Sequence, residues 1–279
     1  MKKYLFIVFA AASLYSTNAV AQIKMPAPST TQWIRQDFGL GTIELLYSRP
    51  NIKGRSLLMN KSELVPYGQL WRTGANAATK IRFTDNVSIA GHVIDTGSYV
   101  IYTIPNKNEW TIIINRGVKN WGTEYKQEED VFRFTVPSIN YPCKTETYTM
   151  NFMNITNTTC DLQLVWGTTA VNIPITTSIN DRLRASIESG LLGDKKPYYQ
   201  AAIFYYEIDH NNAKALENIN KAIEQNPKAF WIFMQKARIQ KDMGDKKGAK
   251  LSAQQVVTLA GEAKNMDYVN MANDLISKL

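Results

Sequence analysis

The sequence predicts a mixed, two-domain protein: an antiparallel β-sandwich or barrel followed by an all-α helical-repeat domain. Three observations predict it. Between Thr31 and about Ile175, short β-branched and aromatic runs alternate with turn residues. No helix-length periodic segment interrupts them, which argues against a parallel α/β sheet. Near Ile179 the pattern switches, and apolar residues recur at helical spacing to the end of the chain.

Residues 1–21 read as a signal peptide. Lys2 and Lys3 form a positive start, residues 4–14 an apolar stretch too short to cross a bilayer, and Ala19-Val20-Ala21 a small-x-small cleavage site. The competing reading is an anchored N-terminal helix. No Cys follows the cleavage site to carry a lipid, and no later run of about 18 apolar residues suggests a transmembrane segment. Export to the periplasm is expected over full secretion, since no outer-membrane anchor or terminal sorting domain is visible. The formal net charge of +8 is spread along the chain without a basic block. In an exported protein that excludes nucleic acid as a partner.

The β-rich domain is expected over residues 28–178. Residues 42–48 are rich in β-formers, and residues 79–84 (TKIRFT) alternate apolar and polar. Residues 87–90 and 93–94 flank Gly91-His92, read as a tight turn. Residues 98–104 and 110–115 are separated by the turn cluster Pro105-Asn106-Lys107-Asn108. Residues 131–136 (VFRFTV) stop at Pro137, and residues 148–152, 161–166 and 170–175 complete the set. Cys143 and Cys160 flank an expected hairpin. In an oxidising compartment the pair reads as a possible disulfide, with two buried thiols as the alternative.

The helical domain is expected over residues 179–279, with helices at 179–191, 197–208, 213–224, 229–243, 246–260 and 267–279. Ala215 and Ala249 lie 34 residues apart, followed at equal spacing by Ile219 and Ala222, then by Ala253 and Val256. That period of paired helices resembles the tetratricopeptide repeat. His210 stands where Gly244 closes the next pair, and Gln240 where Tyr206 serves in the first. A generic helical bundle is the alternative. Such repeats offer a concave face to a protein or peptide partner. Tyr198, Tyr199, Tyr205, Trp231 and Phe233 line that face or fill the core.

One stretch is dense in unusual residues: Val65-Pro66-Tyr67-Gly68, then Leu70-Trp71-Arg72-Thr73-Gly74-Ala75-Asn76-Ala77-Ala78-Thr79. Phe38-Gly39-Leu40-Gly41, Tyr47-Ser48-Arg49-Pro50 and Lys53-Gly54-Arg55 precede it. Gly97-Ser98-Tyr99, Tyr102-Thr103-Ile104-Pro105 and Trp121-Gly122 follow. Together they resemble an exported bacterial family known as domain of unknown function 2911, over residues 28–174. The resemblance implies helical repeats after the domain and carries over no catalytic residue.

Read on their own, Tyr47, Arg49, Arg55, Tyr67, Trp71, Arg72 and Asn76 have the chemistry of a small site. Arg presents a planar fork for carboxylate or phosphate. Trp and Tyr offer faces to a sugar ring, and Asn76 both donates and accepts. Convergence would give a site for an anionic or glycan-like ligand. The alternative is a scaffold, with Gly68, Gly74 and Pro66 as turns and the arginines tying loop carbonyls.

Signals of catalysis are few. His92 falls in an expected turn and His210 at a helix end. No nucleophile elbow, metalloprotease helix or phosphate-binding loop occurs, so no cofactor is implied. Two Cys and two His make a poor metal site. Among Glu44, Glu63, Asp85, Asp95, Glu109, Glu124 and Asp130, no spacing pairs two carboxylates for hydrolysis. The leading expectation is an exported envelope binding or adaptor protein. Its alternatives are an envelope hydrolase with unidentified residues and a structural assembly component.

Overall fold

A computed structural model describes residues 25–279. The signal-peptide segment, residues 1–21, lies outside the described residues. The chain forms two compact units that divide between Ile175 and Thr176.

Ten strands build the first unit: β1 (Thr30–Phe38), β2 (Gly41–Arg49), β3 (Thr79–Phe83), β4 (Val87–Ile89), β5 (His92–Ile94), β6 (Gly97–Pro105), β7 (Glu109–Asn115), β8 (Asp130–Pro137), β9 (Ile139–Met153) and β10 (Thr159–Thr176). They form two antiparallel sheets, ordered β1-β2-β3-β6-β7-β8 and β5-β4-β10-β9. Alternate residues from both sheets meet in one core: Ile43, Leu45, Ile81, Phe83, Ile112 and Ile114 from the first, Ile89, Tyr148, Leu162, Leu164 and Trp166 from the second. The architecture is a sandwich of two open sheets, not a closed barrel.

Among the differences from the sequence reading, β9 is a strand of 15 residues where only residues 148–152 were expected. β1 is a full strand paired residue by residue with β2, although its TTQWIRQDF run is mostly polar. Polar Gln32 and Gln36 on its inward face and Trp33 on its outward face break the alternation that would mark a strand. β10 is one strand of 18 residues where two shorter ones were expected. Gly167, at φ 62°, absorbs a register shift instead of ending the strand. The tight turn is Ala90-Gly91, with φ 48° and 88°, and His92 already pairs with Ile89. His92 stacks on Phe132, ring centroids 4.7 Å apart.

The disulfide is not formed. Cys143 and Cys160 are free thiols, the first exposed and the second buried. They do flank the β9–β10 hairpin, but asymmetrically. Cys160 adjoins the Asp161–Met153 pair near the turn, and Cys143 lies beyond the Thr145–Gly167 pair far down the ladder. Cross-linking needs Cα atoms within about 7 Å. Burial, with the nearby Asp161 charge adding, pushes the Cys160 thiol up to about 12.

The second unit has six helices: α1 (Asn180–Leu192), α2 (Tyr198–Glu207), α3 (Asn212–Gln225), α4 (Phe230–Asp242), α5 (Lys246–Glu262) and α6 (Met266–Ser277). Each packs on the next, and α4 also reaches α6. Close approach needs small residues, and Ala201, Ala215, Ala237, Ala249, Ala253 and Ala272 are fully buried. The two triplets 34 residues apart share their burial. Ala215, Ile219 and Ala222 are buried, as are Ala249, Ala253 and Val256. Asn211 and Asp245 each cap a helix, accepting from Lys214 N and Gly248 N. His210 and Gly244, before those caps, both have positive φ, 51° and 81°. Tyr205 is core, whereas Trp231 is 39% exposed and Phe233 half-buried. Among the described residues, no helix is long and apolar enough to cross a membrane.

Candidate functional site

The connection from β2 to β3 runs over residues 50–78, too long to stay ordered without ties. Trp71 supplies the main one. Its backbone exchanges hydrogen bonds with Thr103 on β6, at 2.7 and 2.9 Å. Its indole stacks on Trp166 and meets Trp110 and Tyr148 edge-on. Its ring N–H donates to Gly74 O at 3.0 Å, closing the following turn. Thr73 is fully buried at φ 58°, where a β-branched residue is rare. Its hydroxyl donates to Thr103 Oγ1, and its carbonyl accepts from the Thr79 hydroxyl.

Arg72 sits between these two anchors and lines a cavity of about 500 Å³. Arg55, Trp71, Tyr102, Thr123 and Tyr125 share the lining, and among the described residues no carboxylate does. Arg55 is exposed and already donates to Ile52 O and Asn51 O. The Arg72 guanidinium makes no hydrogen bond or ion pair among the described residues.

One wall is the segment from Arg116 to Glu129. Gly122 is buried where a Cβ would lie 2.9 Å from both Asn76 O and Ala78 N and 3.0 Å from Arg72 Cδ. Only glycine lets the wall approach so closely. Tyr125 donates to Asp130 Oδ2 at 2.7 Å, and its hydroxyl accepts from Arg133. Arg133 and the buried Asn115 also bond Asp130, at 2.6 and 2.9 Å. Burial, reinforced by the bond to Asp130, pushes the Tyr125 phenol up to about 12. Burial also raises Tyr102, with Glu129 adding and Arg72 opposing. Both phenols stay neutral at ordinary pH, so the arginines supply the cavity's charge.

The structure brings Arg55, Trp71 and Arg72 of the seven candidates to this cavity. Tyr47 and Arg49 instead tie β2 to β9 across the sandwich. Tyr47 Oη accepts from Met150 N at 2.9 Å and donates to Gln32 Oε1 at 2.7 Å. Arg49 donates to Tyr148 O at 3.1 Å and Thr149 Oγ1 at 2.8 Å. Asn76 is exposed at φ 58° and donates to Ser29 O. Tyr67 lines a separate groove of about 560 Å³ with Asn106, Lys107 and Glu109. Tyr102 and Tyr125 join the site from positions that no sequence spacing links to Arg72.

These features define an antiparallel two-sheet protein with an arginine-lined cavity under one long connection, followed by a six-helix unit. A family model described as "Protein of unknown function (DUF2911)" matches residues 29–175, and the chain belongs to that family. The match covers the β-unit and stops before the helices. No curated protein matches the chain.

Proposed function

We propose that this is an exported binding protein of the bacterial envelope, periplasmic in location. Its β-unit holds a small anionic ligand in the Arg72 cavity, and its helices engage a protein partner. One observation carries the ligand reading: two guanidinium groups line the cavity, no carboxylate lines it, and Arg72 has no partner among the described residues. An uncompensated guanidinium in a recess favours a carboxylate or phosphate. Trp71 does not favour a sugar there, because one face is covered by Trp166 and its N–H is used. Hydrolysis by paired carboxylates gains no support from a cavity without one. On the helices, Tyr206, Met234, Arg238, Lys241 and Asp242 line a groove of about 390 Å³, which suits a peptide segment.

The test is thermal unfolding of the full mature chain with a panel of small carboxylates and phosphates. A ligand that binds only the folded state raises Tm. The expected result is a rise with at least one anion that disappears in Arg72→Ala. Stabilisation that persists in Arg72→Ala, or none with any anion, contradicts the proposal.

A further inference from the structure

The outer face of the six-stranded sheet carries an exposed apolar pair bordered by charged side chains, with no lining residue in common with the Arg72 cavity. Strand alternation sends every second residue of β1 outward, and Trp33 is among them, 63% exposed. Register carries its row across the sheet: Trp33 faces Leu46 on β2, and Leu46 faces Lys80 on β3. Leu46 is also exposed, at 42%. The next row on the same face is Arg35, Glu44, Arg82 and Ser98. Six of these residues, from Trp33 to Ser98, line a shallow groove of about 190 Å³.

We propose that this face binds an acidic glycan chain, with the Trp33 indole as its platform. An indole offers a flat apolar surface to the C–H face of a pyranose. The hydroxyls and carboxylate at the ring's edge then need polar partners a few ångströms away. Strands are spaced by about 4.8 Å, and same-face rows by about 6.8 Å, the scale of one sugar ring. A ring over Trp33 and Leu46 therefore meets the Arg35–Glu44–Arg82 row at its rim. Glu44 is the acceptor for hydroxyls, held by Arg82 at 3.3 Å. Arg35 and Lys80 make no hydrogen bond or ion pair among the described residues and are open to a carboxylate. The two rows carry Arg35, Lys80 and Arg82 against Glu44 alone. Asp37 stands one row further, toward the strand end. That charge balance selects an acidic chain over a neutral one.

A protein interface fits this face less well. Stable ones bury about 800 Å² per partner around an apolar centre depleted of charge. Here one Trp–Leu pair is bordered by four charged side chains.

The test is affinity electrophoresis of the full mature chain through gels containing polygalacturonate, hyaluronate or neutral dextran, read beside Trp33→Ala, Trp33→Phe and Arg72→Ala. Trp33 is exposed, so its variants should keep the wild-type Tm. The expected result is retardation by at least one acidic polymer and not by dextran. Binding should weaken roughly tenfold in Trp33→Ala and less in Trp33→Phe, whereas a loss in Arg72→Ala without one in Trp33→Ala places the polymer's carboxylates in the cavity and overturns the proposal. Retardation kept in Trp33→Ala is general charge attraction and overturns the proposal. So does equal retardation by dextran, or none by either acidic polymer. A concentration-dependent dimer that Trp33→Ala abolishes, without retardation, gives the face to a second copy of this chain and also overturns it. The Arg72→Ala arm separates failure here from failure of the cavity reading.

Discussion

The indole of Trp71 lies face to face with that of Trp166, centroids 5.7 Å apart and planes inclined by 17°. Trp71 belongs to the β2–β3 connection and Trp166 to β10, so the connection is part of the sandwich core. Trp71→Ala should therefore cost stability, about 3 kcal/mol for loss of a packed indole. Denaturant unfolding checks this, and a loss under about 1 kcal/mol would contradict the packing role.

Gly122 permits the cavity wall to touch the backbone of Asn76 and Ala78. Gly122→Ala forces a methyl group within about 3 Å of that backbone and of Arg72. The expected loss is about 1–3 kcal/mol, typical of overpacking. A wild-type unfolding midpoint would show that the wall yields freely.

Tyr47→Phe removes the hydroxyl that joins the two sheets. Met150 N–H is left without its buried acceptor, at a cost of about 1–3 kcal/mol. Loss of its amide protection, measured by hydrogen exchange, would locate the effect on β9.

The two thiols should differ sharply. Exposed Cys143 should react with a thiol reagent in the native protein, and buried Cys160 only after unfolding. Mass spectrometry should count one label native and two unfolded. Two native labels would contradict the placement of Cys160.

Arg184 on α1 makes a two-pronged pair with Asp209 just after α2, one bond at 2.6 Å, and lies over the Phe204 ring. The hydrogen bond from Arg184 holds the Asp209 carboxyl below its ordinary range, with burial opposing and the Arg184 charge assisting. A lowered folded pKa means the contribution is present above the unfolded value of about 4 and lost as pH falls through the folded one. Amide exchange of α1, taken relative to the unprotected rate at the same pH, should thus rise below about pH 4 in the wild type. In Arg184→Ala it should be raised at neutral pH. Equal exchange in both proteins at neutral pH would show that the pair does not hold α1.

Much of the fold was legible locally. Alternation in VFRFTV, the turn at Pro105–Asn108 and the spacing of Ala215 and Ala249 each reflect one element's own period. β1 was not legible, because two of its four inward residues, Gln32 and Gln36, are polar and the apolar Trp33 faces outward. Gly167 misled because a bulge and a strand end use the same residue. The site was half legible. Arg55, Trp71 and Arg72 stood out by chemistry, yet nothing local showed that Tyr47 and Arg49 would be spent on β9. Tyr125 reaches the cavity only because Asp130, Arg133 and Asn115 fix its loop, and such non-local ties leave no spacing signal.

The most direct measurement is titration calorimetry of pyrophosphate and citrate into wild type and Arg72→Ala, with the Tm of each recorded. Binding of at least one anion to the wild type is expected, weakened roughly tenfold or more in Arg72→Ala at nearly unchanged Tm. Equal binding by both proteins, no binding by either, or an Arg72→Ala that loses about 2 kcal/mol of stability would contradict a ligand-holding role for Arg72.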